Sequence, residues 1–366
     1  MAHRLPCKFG EPITIPRGAP GDSFGSSAAL SANGKILLVG SAEDAQVFVY
    51  KYDCKWLKTQ VLSNAISTFG ERIVLSPCGT YAFVSGQGAN GEAGQVVVFV
   101  MQNGYYQQQA LLTPSDSQIN DAFGFTMASA DAQHLIVGAP TNSSHPDNTG
   151  KVYVFARQGS NWVEKEIIVG DAGSYFGISV GATMGACTLA IGGFAVNTES
   201  GAVFIYKSTS QGYELVQTLE PSSLIPQDFF GYQLWLTPKG GELAILKPAL
   251  GGGDPETFLY KRQDCTYTQI RTFTNPASSL IENSVVLARS SSVLLIGAPT
   301  ANIGGTPFEI YFSCDGVTWL KQQTIAALLP YPNDGSAFAL SADGNTLVAV
   351  RAEDGYPVVV YRRGTK

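Results

Sequence analysis

The chain has 366 residues, 45% of them hydrophobic and 14% charged where about 25% charge is usual, with 40 glycines and 19 prolines. That apolar content excludes a disordered chain. A net charge of −6 with no Lys/Arg run longer than Arg362-Arg363 leaves no basic stripe for nucleic acid, and no stretch nears the ~18 apolar residues of a membrane span.

The first ten residues, Met-Ala-His-Arg-Leu-Pro-Cys-Lys-Phe-Gly, contain no apolar core of signal-peptide type, so synthesis in the cytosol is expected; a virion-borne protein would have the same appearance. The first structural unit opens at Phe24-Gly25. Ala28–Ser31 is short and apolar, and Asn33-Gly34 predicts a tight turn. Lys35–Gly40 reads as a buried strand, Gln46–Tyr50 as an alternating one, and Trp56–Leu62 as a fourth, outermost strand.

Four more units open at Phe69-Gly70, Phe123-Gly124, Phe176-Gly177 and Phe230-Gly231. Two further units lack the dipeptide but retain the downstream pattern. Glu282-Asn283 leads into Val285-Val286-Leu287 and Gly297-Ala298-Pro299; Asp334-Gly335 leads into Ala339–Gly344. A repeat of roughly 45 to 55 residues is the span of a four-stranded propeller blade. The last unit stops after its third strand, Val358–Tyr361, while Cys7-Lys8-Phe9 followed by Ile13-Thr14-Ile15 matches the fourth strand of the first unit, Cys54-Lys55-Trp56 followed by Val61-Leu62. The expectation is therefore one all-β domain over 1–366: a seven-bladed β-propeller of four-stranded antiparallel blades. Its amino-terminal strand, about 7–16, completes the last blade and leaves no open sheet edge.

Phe-Gly, then Ala-Leu-Ser-Ala-Asn-Gly (29–34), Val-Gly-Ala-Pro (137–140) and Gly-Lys-Val-Tyr-Val-Phe (150–155) resemble FG-GAP repeats, the family of the integrin α-subunit head and of many bacterial and viral propellers. The resemblance spans essentially the whole chain. It implies that each Phe plugs between neighbouring blades while its Gly permits a close turn. Several integrin-type repeats hold calcium in an Asp-x-Asp-x-Asp-Gly loop between the first two strands. Here those turns read Ser-Ala-Asn-Gly, Ser-Pro-Cys-Gly, Ser-Ala-Asp-Ala, Ala-Thr-Met-Gly, Thr-Pro-Lys-Gly, Ala-Arg-Ser-Ser and Ser-Ala-Asp-Gly, and none offers the oxygen side chains a hard cation needs. No cofactor or metal is expected.

The candidates for chemistry have structural readings. Ser313–Trp319 resembles the Asp-box of sialidase propellers, in which the Asp caps a hairpin; Asp-Cys recurs at Asp53-Cys54 and Asp264-Cys265. His3, His134 and His145 form no metal-spaced pair, and no Gly-x-Ser-x-Gly elbow exists. Cys7, Cys54, Cys78, Cys187, Cys265 and Cys314 contain no CxxC and read as free thiols in structural positions. Asn142-Ser143-Ser144 is a single glycosylation sequon.

The long loops joining strands two to three and four to one carry Glu43, Asp44, Glu92, Asp147, Glu199, Asp254, Glu256, Glu353 and Asp354, with few basic residues. An acidic loop face steers a basic partner. Aromatics Phe9, Trp56, Tyr105, Trp162, Tyr213, Tyr267 and Trp319 recur near the start of the fourth strand, where they either pack the outer hairpins or line glycan niches. Three functions remain open at this point. The first is a non-enzymatic scaffold that docks a protein partner, as a structural or attachment component of a large assembly or virion. The second is a glycan-binding or adhesion module, and the third a hydrolase built on paired carboxylates. The turn sequences generate the first test: metal analysis of the purified protein is expected to find no stoichiometric calcium.

Overall fold

The computed structural model describes residues 8–15, 23–88, 91, 93–140, 149–248, 254–264, 266–274, 284–287, 293–297, 308–325, 337–350 and 358–364. They form seven four-stranded antiparallel sheets, each built from consecutive strands except the last. Blade one is Phe24–Leu30, Ile36–Ser41, Gln46–Asp53 and Lys55–Ser63, ordered from the channel outwards. The remaining blades repeat that plan. Blade seven takes its outer strand from the amino terminus: Ile13–Ile15 pairs antiparallel with Val358–Arg362, in the register Ile13↔Val360. Among the described residues, helix is confined to Met184–Ala186 and Val196–Glu199, and no helix is long and apolar enough to cross a membrane.

The second strands are buried on both faces, as their continuous apolar runs require; Tyr81–Gly86 is buried at every residue. Between blades the apolar residues gather into seven clusters, one per interface. The Phe of each Phe-Gly pair sits in one of these. Phe69, with no exposed surface, shares a cluster with Leu38 and Val47 of blade one and Val84 and Phe99 of blade two. Full burial of such a ring contributes about 2–3 kcal/mol. It also meets its own third strand edge-on, as Phe24 meets Phe48 at 5.2 Å and Phe230 meets Phe258 at 5.2 Å.

Glycine follows the Phe for a geometric reason. Gly25, Gly70, Gly124, Gly177 and Gly231 have φ between 89° and 107°, where side chains rarely sit. A Cβ on Gly70 would lie 2.8 Å from the Gln46 carbonyl oxygen of the preceding blade. The reciprocal surface is glycine too. Gly94, Gly150 and Gly201, just before the third strands, leave no room for a methyl beside the carbonyl of Phe123, Phe176 and Phe230 in the next blade. Backbone therefore meets backbone between blades: Phe123 N–H donates to Ala93 at 2.9 Å, and Phe230 N–H to Ser200 at 2.9 Å.

The rim is tied by a second device. Every outer strand of blades one to six carries a bulge against the third strand. The residue just past it, in five of these six, reaches the backbone of the next blade's outer strand. Gln60 donates to the Tyr106 carbonyl (2.7 Å) and accepts from its N–H (2.8 Å); Gln217 does the same to Tyr267, and Gln323 to Phe9. Glu166 accepts from Tyr213 N–H, and Arg271 donates to the Trp319 carbonyl. The Gln323–Phe9 clasp holds the amino-terminal segment of blade seven against blade six by the same device.

Replacing Gly201 by Ala forces a Cβ into the Phe230 carbonyl at φ +87°, whereas Gly159 at φ +64° has nothing within 4 Å. Urea unfolding is expected to show a loss of about 3 kcal/mol or more for Gly201→Ala and about 1 kcal/mol for Gly159→Ala.

Candidate functional site

The topology gives the disc two faces. The loops joining strands two to three and four to one form a loop face; the turns joining strands one to two and three to four form a hairpin face. The described acidic candidates all lie on the loop face: Glu43 and Asp44 on blade one, Glu199 on blade four, Asp254 and Glu256 on blade five. Glu92, Asp147, Glu353 and Asp354, with the Asn142 sequon, lie outside the described residues. The five are spread over separate blades rather than gathered in one cluster. Asp44 accepts from the Ser41 hydroxyl (2.6 Å), Glu199 from the Gln227 amide (3.3 Å), and Glu256 is ion-paired with Lys247 (3.1 Å). Glu43 and Asp254 are exposed.

The lysines Lys151 and Lys247 of this face are consumed, while Arg72 has no acidic partner among the described residues. Lys247 also reaches the buried Asp228 at 3.5 Å, and Lys151 pairs with Asp116 at 2.7 Å. Burial alone would push the Asp116 carboxyl up; hydrogen bonds from Lys151 and Tyr153 outweigh it and hold the group below its ordinary value.

At the centre of the loop face the structure assembles a group that the repeat pattern does not announce. Phe125, Tyr175, Phe194, Phe229 and Tyr232, all half-buried, ring one side of the channel mouth. Tyr175 stacks on Phe194 at 4.8 Å with planes 18° apart, and Phe194 also meets Phe229 at 5.5 Å and Tyr232 at 5.9 Å. Arg72 lies over Phe125 at 5.7 Å. A hollow of about 500 Å³ opens among these rings, and the Glu71 carboxylate and Gln87 share its wall. Glu71 accepts only a long hydrogen bond from Gln87 N–H (3.4 Å) and has no cation within ion-pairing distance among the described residues.

The backbone around this mouth is strained. Tyr175 (φ 50°) and Phe229 (φ 52°) are left-handed, as are Gln227 and the three consecutive residues Asn197, Thr198 and Glu199. Each costs about 1 kcal/mol or more. Phe229 N–H donates to Glu199 and Gln227 N–H to Thr198, so the neighbouring blade's loop holds the strained turn in place. Below the mouth the channel, about 450 Å³, is walled by the innermost strands; among the described residues its only charged side chain is Arg72.

The other sequence candidates are structural. The outer-strand aromatics are core: Phe9, Trp56, Trp162, Tyr267 and Trp319 are buried. In blade two the buried ring is Tyr106, not Tyr105, which is 56% exposed. Gln102 pairs with Tyr105 across the hairpin, so Met101 faces Tyr106, the register that Arg157 and Trp162 keep in blade three. Tyr106, Tyr213 and Tyr267 donate their hydroxyls to the carbonyls of Gly79, Ala186 and Gly240. Asp315, in the Asp-box-like segment, accepts from Val317 N–H (2.8 Å) and Thr318 N–H (2.7 Å), which caps the hairpin. Cys54, Cys78, Cys187 and Cys314 are free, and all are exposed rather than packed in the core; Cys7 and Cys265 lie outside the described residues.

A family model described as FG-GAP repeat matches residues 106–155, from the outer strand of blade two through the third strand of blade three. The chain is a seven-bladed β-propeller with an FG-GAP repeat. No curated protein sequence matches it. Among solved structures it is similar to a candidate 6-phosphogluconolactonase of Bacteroides uniformis ATCC 8492 (11% identity, 86% of this chain and 88% of that one, TM-score 0.62). It is also similar to one of Bacteroides fragilis NCTC 9343 (12%, 83% and 84%, TM-score 0.58). At those identities the likeness is one of fold.

The hairpin-face turns generate a pH prediction. Burial works against the Asp131 carboxylate, but hydrogen bonds from His134 and the N–H groups of Gly185 and Gln133 hold it well below the usual range. A depressed folded value means the stabilisation is present above the ordinary carboxylate pKa and is lost as pH falls below it. Stability of the wild type is expected to fall below about pH 4, and Asp131→Ala to flatten that limb of the curve.

Proposed function

We propose that this propeller is a non-enzymatic interaction scaffold that docks a basic protein surface on its loop face. The observation that carries the reading is the aromatic mouth, rigidly held and half-open, set among acidic loops whose lysines are already neutralised. Rings and an unpaired carboxylate on a rigid frame suit an anchor side chain of a partner, while the surrounding acids raise its encounter rate. The wider form of this reading is a structural or attachment component of a large assembly, a virion included.

The other two readings have less to rest on. Five of the seven outer-strand aromatics that suggested glycan niches are buried, Tyr213 being half-buried and Tyr105 exposed, and a hydrolase with paired carboxylates has none along the described channel wall. The names of the two similar structures add nothing at 11–12% identity.

The test is sedimentation of the native protein from its source with mass spectrometry of the proteins that travel with it, repeated with a Phe194→Ala, Glu43→Lys variant. A constant basic partner, lost at least tenfold in the variant, is expected. A wild type that migrates alone, or a partner retained by the variant, contradicts the reading.

A further inference from the structure

We infer that the occupant of the loop face includes a second copy of this chain, the hairpin face of one disc seated on the loop face of the next. The inference rests on the loop-face docking reading and names a partner for it. Its basis is that the two faces of one disc carry uncompensated charge of opposite sign.

Among the described residues of the loop face, Lys151 and Lys247 are spent in ion pairs and Arg72 alone stands unpaired over Phe125, while Glu43, Glu71, Asp171, Glu199, Glu220 and Asp254 have no ion-pair partner. The hairpin face is the reverse. Lys35, Lys51, Lys55, Lys207, Lys239 and Arg262 stand at its turns and hairpin ends, and none is ion-paired among the described residues. Where these lysines find a partner it is a neutral carbonyl, as Lys51 does with Gly104. The acids of this face are fewer than its cations among the described residues: Asp53, Asp131, Glu214, Glu242, Asp264, Asp315 and Asp343 stand against the six cations above together with Lys8, Arg157, Lys261, Arg362 and Arg363. Exposed apolar side chains also stand on both faces, Ile119 and Ile225 on the loop side and Met184 and Val317 on the hairpin side.

Two different, complementary faces on opposite sides of a disc make a heterologous contact. Its repeat runs along the ring axis, so it builds an open stack rather than a closed dimer. The attraction is between solvated charges and is screened by salt. The exposed thiols Cys54, Cys78, Cys187 and Cys314 all belong to the hairpin face, so stacking covers them.

The experiment is sedimentation velocity on the purified full chain between about 20 mM and about 500 mM salt, a span over which the Debye length falls several-fold. Two variants neutralise one face each: Glu43→Gln with Asp171→Asn and Asp254→Asn, and Lys55→Gln with Lys207→Gln and Arg262→Gln. All six positions are exposed and outside the core, so the melting transition serves as the folding control. Expected results are at least a doubling of weight-average mass at low salt that is lost at high salt, and a monomer for each variant alone. An equimolar mixture of the variants should form dimers, because one keeps its hairpin face and the other its loop face. Labelling of Cys54 and Cys187 by a thiol reagent should slow several-fold at low salt. A wild-type monomer at every salt concentration overturns the inference, as does association that either variant retains alone. A monomer that still binds a foreign basic partner from its source leaves the docking reading standing and removes only self-stacking.

Discussion

The structure depends on one contact repeated across four successive interfaces, from blades one and two to blades four and five: the backbone of the Phe-Gly pair lies directly on the third strand of the preceding blade. Neither surface tolerates a Cβ. Gly70 against Gln46 and Gly201 against Phe230 show the two halves of the constraint. With the backbones that close, the Phe ring goes into the apolar cluster shared by the two blades; five of the seven clusters hold such a ring, and those on either side of blade six do not. Blade spacing at those four interfaces follows from that approach distance.

Backbone strain sits at the same junction. The residue before the Phe is left-handed in four successive blades, at Thr68, Ala122, Tyr175 and Phe229. In the first two the side chain is small: Thr68 accepts the Gly88 N–H on its hydroxyl, and Ala122 brings no ring. In Tyr175 and Phe229 the same backbone presents a ring at the channel mouth, where Phe194 stacks against it. A structural necessity at the blade junction thereby becomes the device that builds the candidate site.

How much of this was legible in the sequence divides along the same line. The blades were, because Phe-Gly, the Gly-Ala-Pro ends of the second strands and the alternating third strands each state a backbone requirement. Blade seven was legible because Cys7-Lys8-Phe9 repeats Cys54-Lys55-Trp56, and Phe9 does take the Trp56 position. Loop position alone places Glu43, Asp44, Glu199, Asp254 and Glu256 on one face. The aromatic mouth was not. It comes from positions flanking the Phe-Gly pair that hold Ser26, Glu71, Phe125, Ile178 and Tyr232 in turn, so no repeat advertises it, and Phe194 arrives from a different loop. Tyr105 and Tyr106 were indistinguishable because both come directly after Asn103-Gly104; only the register of the hairpin puts one in the core and the other in water. The bulge-borne clasp of Gln60, Gln217 and Gln323 was equally silent, because glutamine in an outer strand reads as an ordinary solvated residue.

With an apolar cluster at every blade interface, the ring is expected to behave as one mechanical unit. Native-state hydrogen exchange tests this most directly, read at the inter-blade amides of Phe123 and Phe230 and at the amides of 13–15 in the closing strand. All of them are expected to exchange only through global unfolding, with one common free energy. Opening of the closing strand at a markedly lower free energy, or blade-by-blade loss of protection, would contradict it.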